Sequence, residues 1–253
     1  MNDQRQASYV QTVLGLIEPE ELGATHTHEH ILSDLSHIGG PPDDPFLRDL
    51  YYKPMSMDAL GYLNYYYVGN EDNLRLDDID TAIDELNLYK RHGGGGIVEA
   101  SSIGLSRNPE GLMKVSQATG VHIIMGSSYY VKEAHPPNMD DILEEDIYEE
   151  IVRDVTVGVG STGIKSGIIG EVGCSYPLSD NERKAVRASA KAQRTTGSAI
   201  LIHPGRDELS PEEIIGVIAD AGGDLSRTII GHLERTVMDR QVLLRIAEAG
   251  CYL

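Results

Sequence analysis

Hydrophobic and polar positions along this chain follow two alternating rhythms. Short apolar runs rich in β-branched residues occupy 25–32, 96–100, 120–125, 167–172, 198–203 and 228–232, and a seventh starts near Cys251. Between them, apolar residues recur at three- and four-residue spacing over 76–91, 109–119, 139–157, 179–196, 210–221 and 236–249, the pattern of helices with one buried face. Start signals agree: Ser179-x-x-Glu182 has the hydroxyl and acid of a capping box, and Ser210-Pro211-Glu212-Glu213 sets a first-turn proline and two acids at a helix N-terminus. Strands alternating with helices predict one α/β domain, 1–253, on a parallel sheet.

Two stretches break the alternation. Residues 10–17, followed by Glu18-Pro19-Glu20-Glu21-Leu22-Gly23, predict a short hairpin that closes one end of the fold. Residues 33–74 fit no period and carry six of the 13 tyrosines (Tyr51, Tyr52, Tyr62, Tyr65, Tyr66, Tyr67). A loop this long in a compact domain is functional or disordered, and its tyrosines point to an ordered lid or insertion after the first strand.

Composition narrows the function classes. The 253 residues are 40% hydrophobic and 24% charged, which is globular, and their formal charge of -19 disfavours nucleic acid and anionic membranes as partners. No apolar run reaches membrane-spanning length and the polar start MNDQRQASYVQ lacks a signal-peptide core, so the expected location is cytoplasmic. Cys174 and Cys251 are too few for a disulfide framework and are expected to be reduced thiols.

The chemistry concentrates at strand ends. In Thr27-His28-Glu29-His30, residues two apart share a strand face, so His28 and His30 can reach one metal. His-x-His alone is a weak signal. It gains weight because later strands also end on ligand types: Glu171 in Gly170-Glu171-Val172-Gly173, His203 in Ile202-His203-Pro204, and His232 in Gly231-His232. Their separations of 32 and 29 residues each fit a strand, two loops and a helix, placing them on consecutive strand ends around a barrel. Imidazole and carboxylate suit Zn²⁺, Mn²⁺ or Co²⁺, and only Glu171 has two oxygens with which to bridge two ions. Arg206 and Arg235 follow His203 and His232 on the same rim, where a guanidinium could hold an anionic group of a substrate or a surface salt bridge. Tyr129 and Tyr130, after the third strand, are candidates to line the pocket.

These residues resemble a family. Val13-Leu14-Gly15-Leu16-Ile17-Glu18-Pro19, Thr27-His28-Glu29-His30, Gly167 to Ser175, Ile202-His203-Pro204-Gly205-Arg206 and Gly231-His232-Leu233-Glu234-Arg235-Thr236 are similar to the phosphotriesterase-related proteins of the amidohydrolase superfamily. The resemblance implies a (β/α)8 TIM-type barrel with two divalent metal ions on its upper rim, zinc first and manganese or cobalt as alternatives. It assigns one ion to His28 and His30, the other to His203 and His232, and the bridging, catalytic role to Glu171. It also implies hydrolysis of an ester, lactone, phosphotriester or amide bond of a small-molecule substrate by activated water.

Two departures shape the expectation. Bacterial phosphotriesterases place a carboxylated lysine on the fourth strand, where a glutamate stands here. Lys165 lies six residues before Glu171, roughly 20 Å along a strand, so it is not the bridge. The family pattern also ends with an aspartate on an eighth strand, whereas this sequence stops at Gly250-Cys251-Tyr252-Leu253 as a seventh begins. The barrel is therefore expected to be incomplete, lacking its last βα unit. Exposed sheet edges would then favour self-association, a homo-oligomer included. Rival readings are an inactive fragment that only binds metal or a protein partner, and a mononuclear deaminase-like member of the superfamily.

The remaining histidines read as structural. His26 is expected to pack inside the barrel below His28, and His37, His92, His122 and His135 have no matching partners. The acidic run 140–150 is spaced as a solvated helix face, with Ile142, Leu143, Ile147 and Ile151 on its inner side.

Overall fold

The computed structural model describes residues 9–253; the polar start, 1–8, lies outside the described residues. Strands β1 (Val10–Thr12) and β2 (Gly15–Ile17) form the expected hairpin, and Val13 at its turn donates a backbone hydrogen bond to Ile123. Strand β3 (Ala24–Glu29) opens the barrel. The 33–74 stretch is ordered: β4 (Ser33–Asp34) pairs antiparallel with β5 (Arg75–Leu76), and between them lie α1 (Pro45–Tyr52) and α2 (Leu60–Leu63).

From there the alternation holds. Helix α3 (Ile79–Arg91) precedes β6 (Gly94–Glu99), α4 (Pro109–Thr119) precedes β7 (His122–Met125), and α5 (Glu144–Thr156) precedes β8 (Ile169–Gly173). Helix α6 (Asp180–Thr196), β9 (Ile200–His203), α7 (Ser210–Asp220), β10 (Thr228–Ile230), α8 (Leu233–Thr236) and α9 (Arg240–Glu248) complete the order. The capping box expected at Ser179 and Glu182 is formed.

Two helices differ from expectation. The 139–157 helix starts at Glu144, because the side chain of Asp146 accepts from the backbone N–H of Leu143 and ends the turn there; Leu143 is left exposed while Ile147 and Ile151 are buried. The 236–249 helix starts only at Arg240, because Val237, after the short α8, is extended and Asp239 caps α9 by accepting from Gln241 N at 2.7 Å.

Parallel ladders run β3-β6-β7 and β8-β9-β10. Bonds from Gly170 N to Ser127 O (2.7 Å) and Gly167 N to Met125 O (2.9 Å) join the two sets, and Tyr252 pairs with β10 as a seventh strand start. Among the described residues no ladder joins Tyr252 to β3, so the TIM-type barrel is open at that seam.

Side-chain parity divides the core. Ile200 and Ile202 face outward onto α5, α6 and α7 through Ile147, Ile151, Val186, Ile214 and Ile218, while Leu201 turns inward onto Ala100, Ile124 and Ile168. Each fully buried Ile or Leu stabilises the fold by about 1.5–3 kcal/mol. Alternation then sends His203, two residues after Leu201, into the barrel mouth.

Candidate metal centre

Glu171 occupies the middle of that mouth through a local irregularity. Ile169 and Val172 both face the outer core although they are three residues apart, and the β8–β9 register shifts between them. Gly170 absorbs the shift at φ +120°, and a Cβ there would strike the carbonyl of Leu201. The extra residue turns Glu171 inward, with no solvent exposure.

Four imidazoles surround this carboxylate. Nε2 of His28 and Nδ1 of His203 lie 2.9 Å from Glu171 Oε2, Nε2 of His232 lies 3.4 Å from the same oxygen, and Nε2 of His30 lies 3.2 Å from Oε1. His232 falls two residues beyond β10 and sits in the left-handed region, φ 55°, where a non-glycine residue persists only when its surroundings fix it. Its ring centroid is 4.7 Å from that of His28 and 4.5 Å from that of His203.

Burial pushes the Glu171 carboxyl up, but the contacts from His203, His232, His28 and His30 together overcome it and hold the group well below the usual carboxylate range. Burial likewise lowers His30, yet its contact with Glu171 and the charges of Glu171, Glu99 and Glu29 raise it overall. At His203 burial wins and the imidazole is lowered.

The set fits a divalent cation. His28 Nε2, His232 Nε2 and Glu171 Oε1 are buried without a hydrogen-bond partner, although the first two lie close to the carboxylate. One donor atom each from His28, Glu171 and His232 falls within 4.8 Å of the others. Buried polar atoms left without partners around one point are costly, and a cation held among them would relieve that cost.

Of the two rim arginines, Arg235 reaches the centre. Arg235 Nη2 donates to His203 Nε2 at 3.0 Å, and the Arg235 guanidinium is lowered first by burial and then by the positive charge of Arg206. Tyr129 is a correction: its hydroxyl donates to Glu150 at 2.6 Å and its ring packs in the outer core with Ile147 and Ile151. Tyr130 faces the centre instead, its hydroxyl 3.3 Å from His203 Nδ1. One residue changes the face, and an isolated bridge between Ile103 and Tyr129 fixes which.

His26 is the other correction. The β3–β6 register shifts between His26 and Glu29, which breaks the alternation; His26 is half-exposed and its Nδ1 lies 3.5 Å from Glu29. Three groups escaped the sequence reading. His37 stands with its ring centroid 6.4 Å from Tyr130, carried there by the 33–74 insertion. Glu99 and Ser101 are fully buried beside His30, and burial pushes Glu99 up to about 7 against the opposing pulls of Ser101 and His30. Strand polarity alone gave no signal for either.

A parallel barrel sheet with a histidine–carboxylate cluster at the carboxyl ends of its strands is the architecture of a barrel hydrolase. Residues 8–253 match the phosphotriesterase family. An N-acetyltaurine hydrolase of Dictyostelium discoideum is 41% identical over 96% of this chain and 71% of its own length; the human N-acetyltaurine hydrolase is 40% identical over 96% and 70%. A phosphotriesterase-related protein of Nematostella vectensis is 43% identical over 96% and 70%. Among solved structures, a resiniferatoxin-binding protein from Rhodobacter sphaeroides superposes with a TM-score of 0.91 at 32% identity, covering 96% of this chain and 68% of that one. The chain belongs to the phosphotriesterase family and is a hydrolase.

Proposed function

We propose that the chain is a metal-dependent hydrolase in which His28 and His30 hold one divalent ion, His203 and His232 a second, and Glu171 both. Zinc is the first choice, with manganese or cobalt as alternatives. The observation that carries this is one wholly buried carboxylate faced by four imidazoles, with donor atoms left unpartnered. When bound, such ions polarise the bond under attack and bring the pKa of water near neutrality.

The chain's own residues then bind and orient. Glu171 stays ionised across the working range and keeps the imidazoles turned inward. Arg235 and Arg206, two like charges held near each other at the rim, favour an anionic substrate group that would relieve their repulsion. The Tyr130 hydroxyl can hydrogen-bond a polar substrate atom beside His203. Relatives at about 40% identity are named for N-acetyltaurine, an amide with a sulfonate tail, which supports a small N-acyl substrate with an acidic tail over an ester, lactone or phosphotriester.

Turnover of N-acetyltaurine by the zinc-loaded chain, set against a neutral N-acetyl amine of equal length, tests the reading. Cleavage of the anionic amide, abolished by a chelator and by His203→Ala, supports it. A chain that takes up metal and turns over neither amide supports the second reading, metal or partner binding alone.

A further inference from the structure

Behind His30 lies a buried pair that the reading of the metal centre leaves without a role. Glu99, which ends β6, and Ser101 have no solvent exposure. The Ser101 hydroxyl donates to Glu99 Oε1 at 2.6 Å, and the same Ser101 oxygen lies 3.0 Å from His30 Nδ1. Glu99 also accepts from the backbone N–H of Ile31 at 3.2 Å and of Ser101 at 3.3 Å. A hydroxyl has one proton; with that proton given to Glu99, Ser101 meets His30 only as an acceptor. Nδ1 must therefore carry the imidazole proton. Nε2, 3.2 Å from Glu171 Oε1, is the nitrogen turned to the centre.

We propose that Glu99, acting through Ser101, is a positioning residue that fixes His30 in its Nδ1–H tautomer and thereby sets the affinity of the metal position formed by His28 and His30. This rests on the reading of His30 as a ligand. Outer partners that orient a ligating imidazole are worth roughly 10- to 100-fold in metal affinity. A glutamine at 99 cannot substitute: with its amide nitrogen at either oxygen position, a donor faces Ser101 N–H on one side, or the Ser101 hydroxyl and Ile31 N–H on the other.

The test compares the wild-type chain with Ser101→Ala, Ser101→Thr and Glu99→Gln at pH 8.5. Two readouts are independent of activity: the ¹⁵N imidazole spectrum of the metal-free protein, and zinc affinity by chelator competition. Expected are an Nδ1–H His30 in the wild type, loss of that tautomer in Ser101→Ala, and a roughly 10- to 100-fold weaker first zinc equivalent in Ser101→Ala and Glu99→Gln, restored by Ser101→Thr. An Nε2–H His30 in the wild type, or unchanged zinc affinity in Ser101→Ala, overturns the proposal while leaving the ligand set intact. A wild-type chain that takes up no zinc overturns the ligand reading and this proposal with it. Ser101→Ala removes one oxygen and leaves the Glu99 bond to Ile31 in place, so the result stands even if Glu99→Gln does not fold.

Discussion

The guanidinium of Arg235 lies 3.0 Å from Nε2 of His203. Arginine only donates, so that nitrogen faces the guanidinium as an acceptor, while Nδ1 on the other side of the ring lies 2.9 Å from Glu171. Arg235 thus bridges the centre and the rim where the proposed anionic tail would lie. Arg206→Ala is expected to raise KM for an anionic amide by about 10- to 100-fold, the value of a charge-assisted hydrogen bond, with kcat little changed. Steady-state kinetics on the sulfonate and on a neutral analogue check this, since equal losses on both would contradict a charge role.

Removing ligands should act on metal content before it acts on fold. His28→Ala and His232→Ala are each expected to lower bound zinc and to cost more in kcat/KM than the 10- to 100-fold attached to a supporting residue. Elemental analysis of dialysed protein, paired with chelation and zinc readdition to the wild type, measures it. Activity that survives complete chelation would remove the metal from the reaction.

Glu182 supplies a pH dependence of stability. Burial pushes its carboxyl up, but the Ser175 hydroxyl and the backbone N–H groups of Ser179 and Lys132 hold it below the usual range. A depressed native value contributes stability that is complete above the unfolded value, about 4.3, and is lost as pH falls through the native one. Glu182→Gln is expected to unfold about 1–3 kcal/mol more easily at pH 7, with the gap to wild type narrowing below about pH 4. Urea denaturation at several pH values gives the comparison, and a gap that widens on acidification would reverse the sign.

Gly170→Ala tests how far the inward turn of Glu171 depends on its neighbour. At φ +120°, and with Leu201 O in the way of a Cβ, the substitution is expected to destabilise by at least about 1–3 kcal/mol and to reduce zinc uptake. A protein of wild-type melting temperature and full zinc content would show that the backbone has another route.

Among the described residues the outer edges of β3 and of the bridge at Tyr252 carry no ladder, and in the 253-residue chain such edges are templates for pairing with another chain. Concentration-dependent self-association is expected in light scattering, and a monodisperse monomer across a hundredfold dilution would count against it.

The sequence disclosed the five clustered side chains through their residue types and their spacing along the chain. His203 follows Leu201 by the two-residue alternation, and the spacing from Glu171 to His203 to His232 matches one βα unit each. What escaped it depends on single-residue shifts that no period encodes. A register change after His26 put that ring outside, a bridge at Tyr129 gave the mouth to Tyr130, and Gly170 supplied an extra residue that alternation does not foresee. The short helices within 33–74 were invisible for another reason: four to eight residues hold too few turns to display a repeat.

The pairing of β4 with β5 has an evolutionary corollary. Ser33 opposes Leu76 and Asp34 opposes Arg75, so the insertion leaves and rejoins the barrel at a single clasp. Its interior can lengthen, shorten or change composition while the strands beneath keep their places, since each doubling of a loop costs only about 0.6 kcal/mol. Through His37 that same segment reaches the far side of Tyr130, so substrate preference could drift across descendants by rewriting one detachable piece, leaving the imidazole cage untouched.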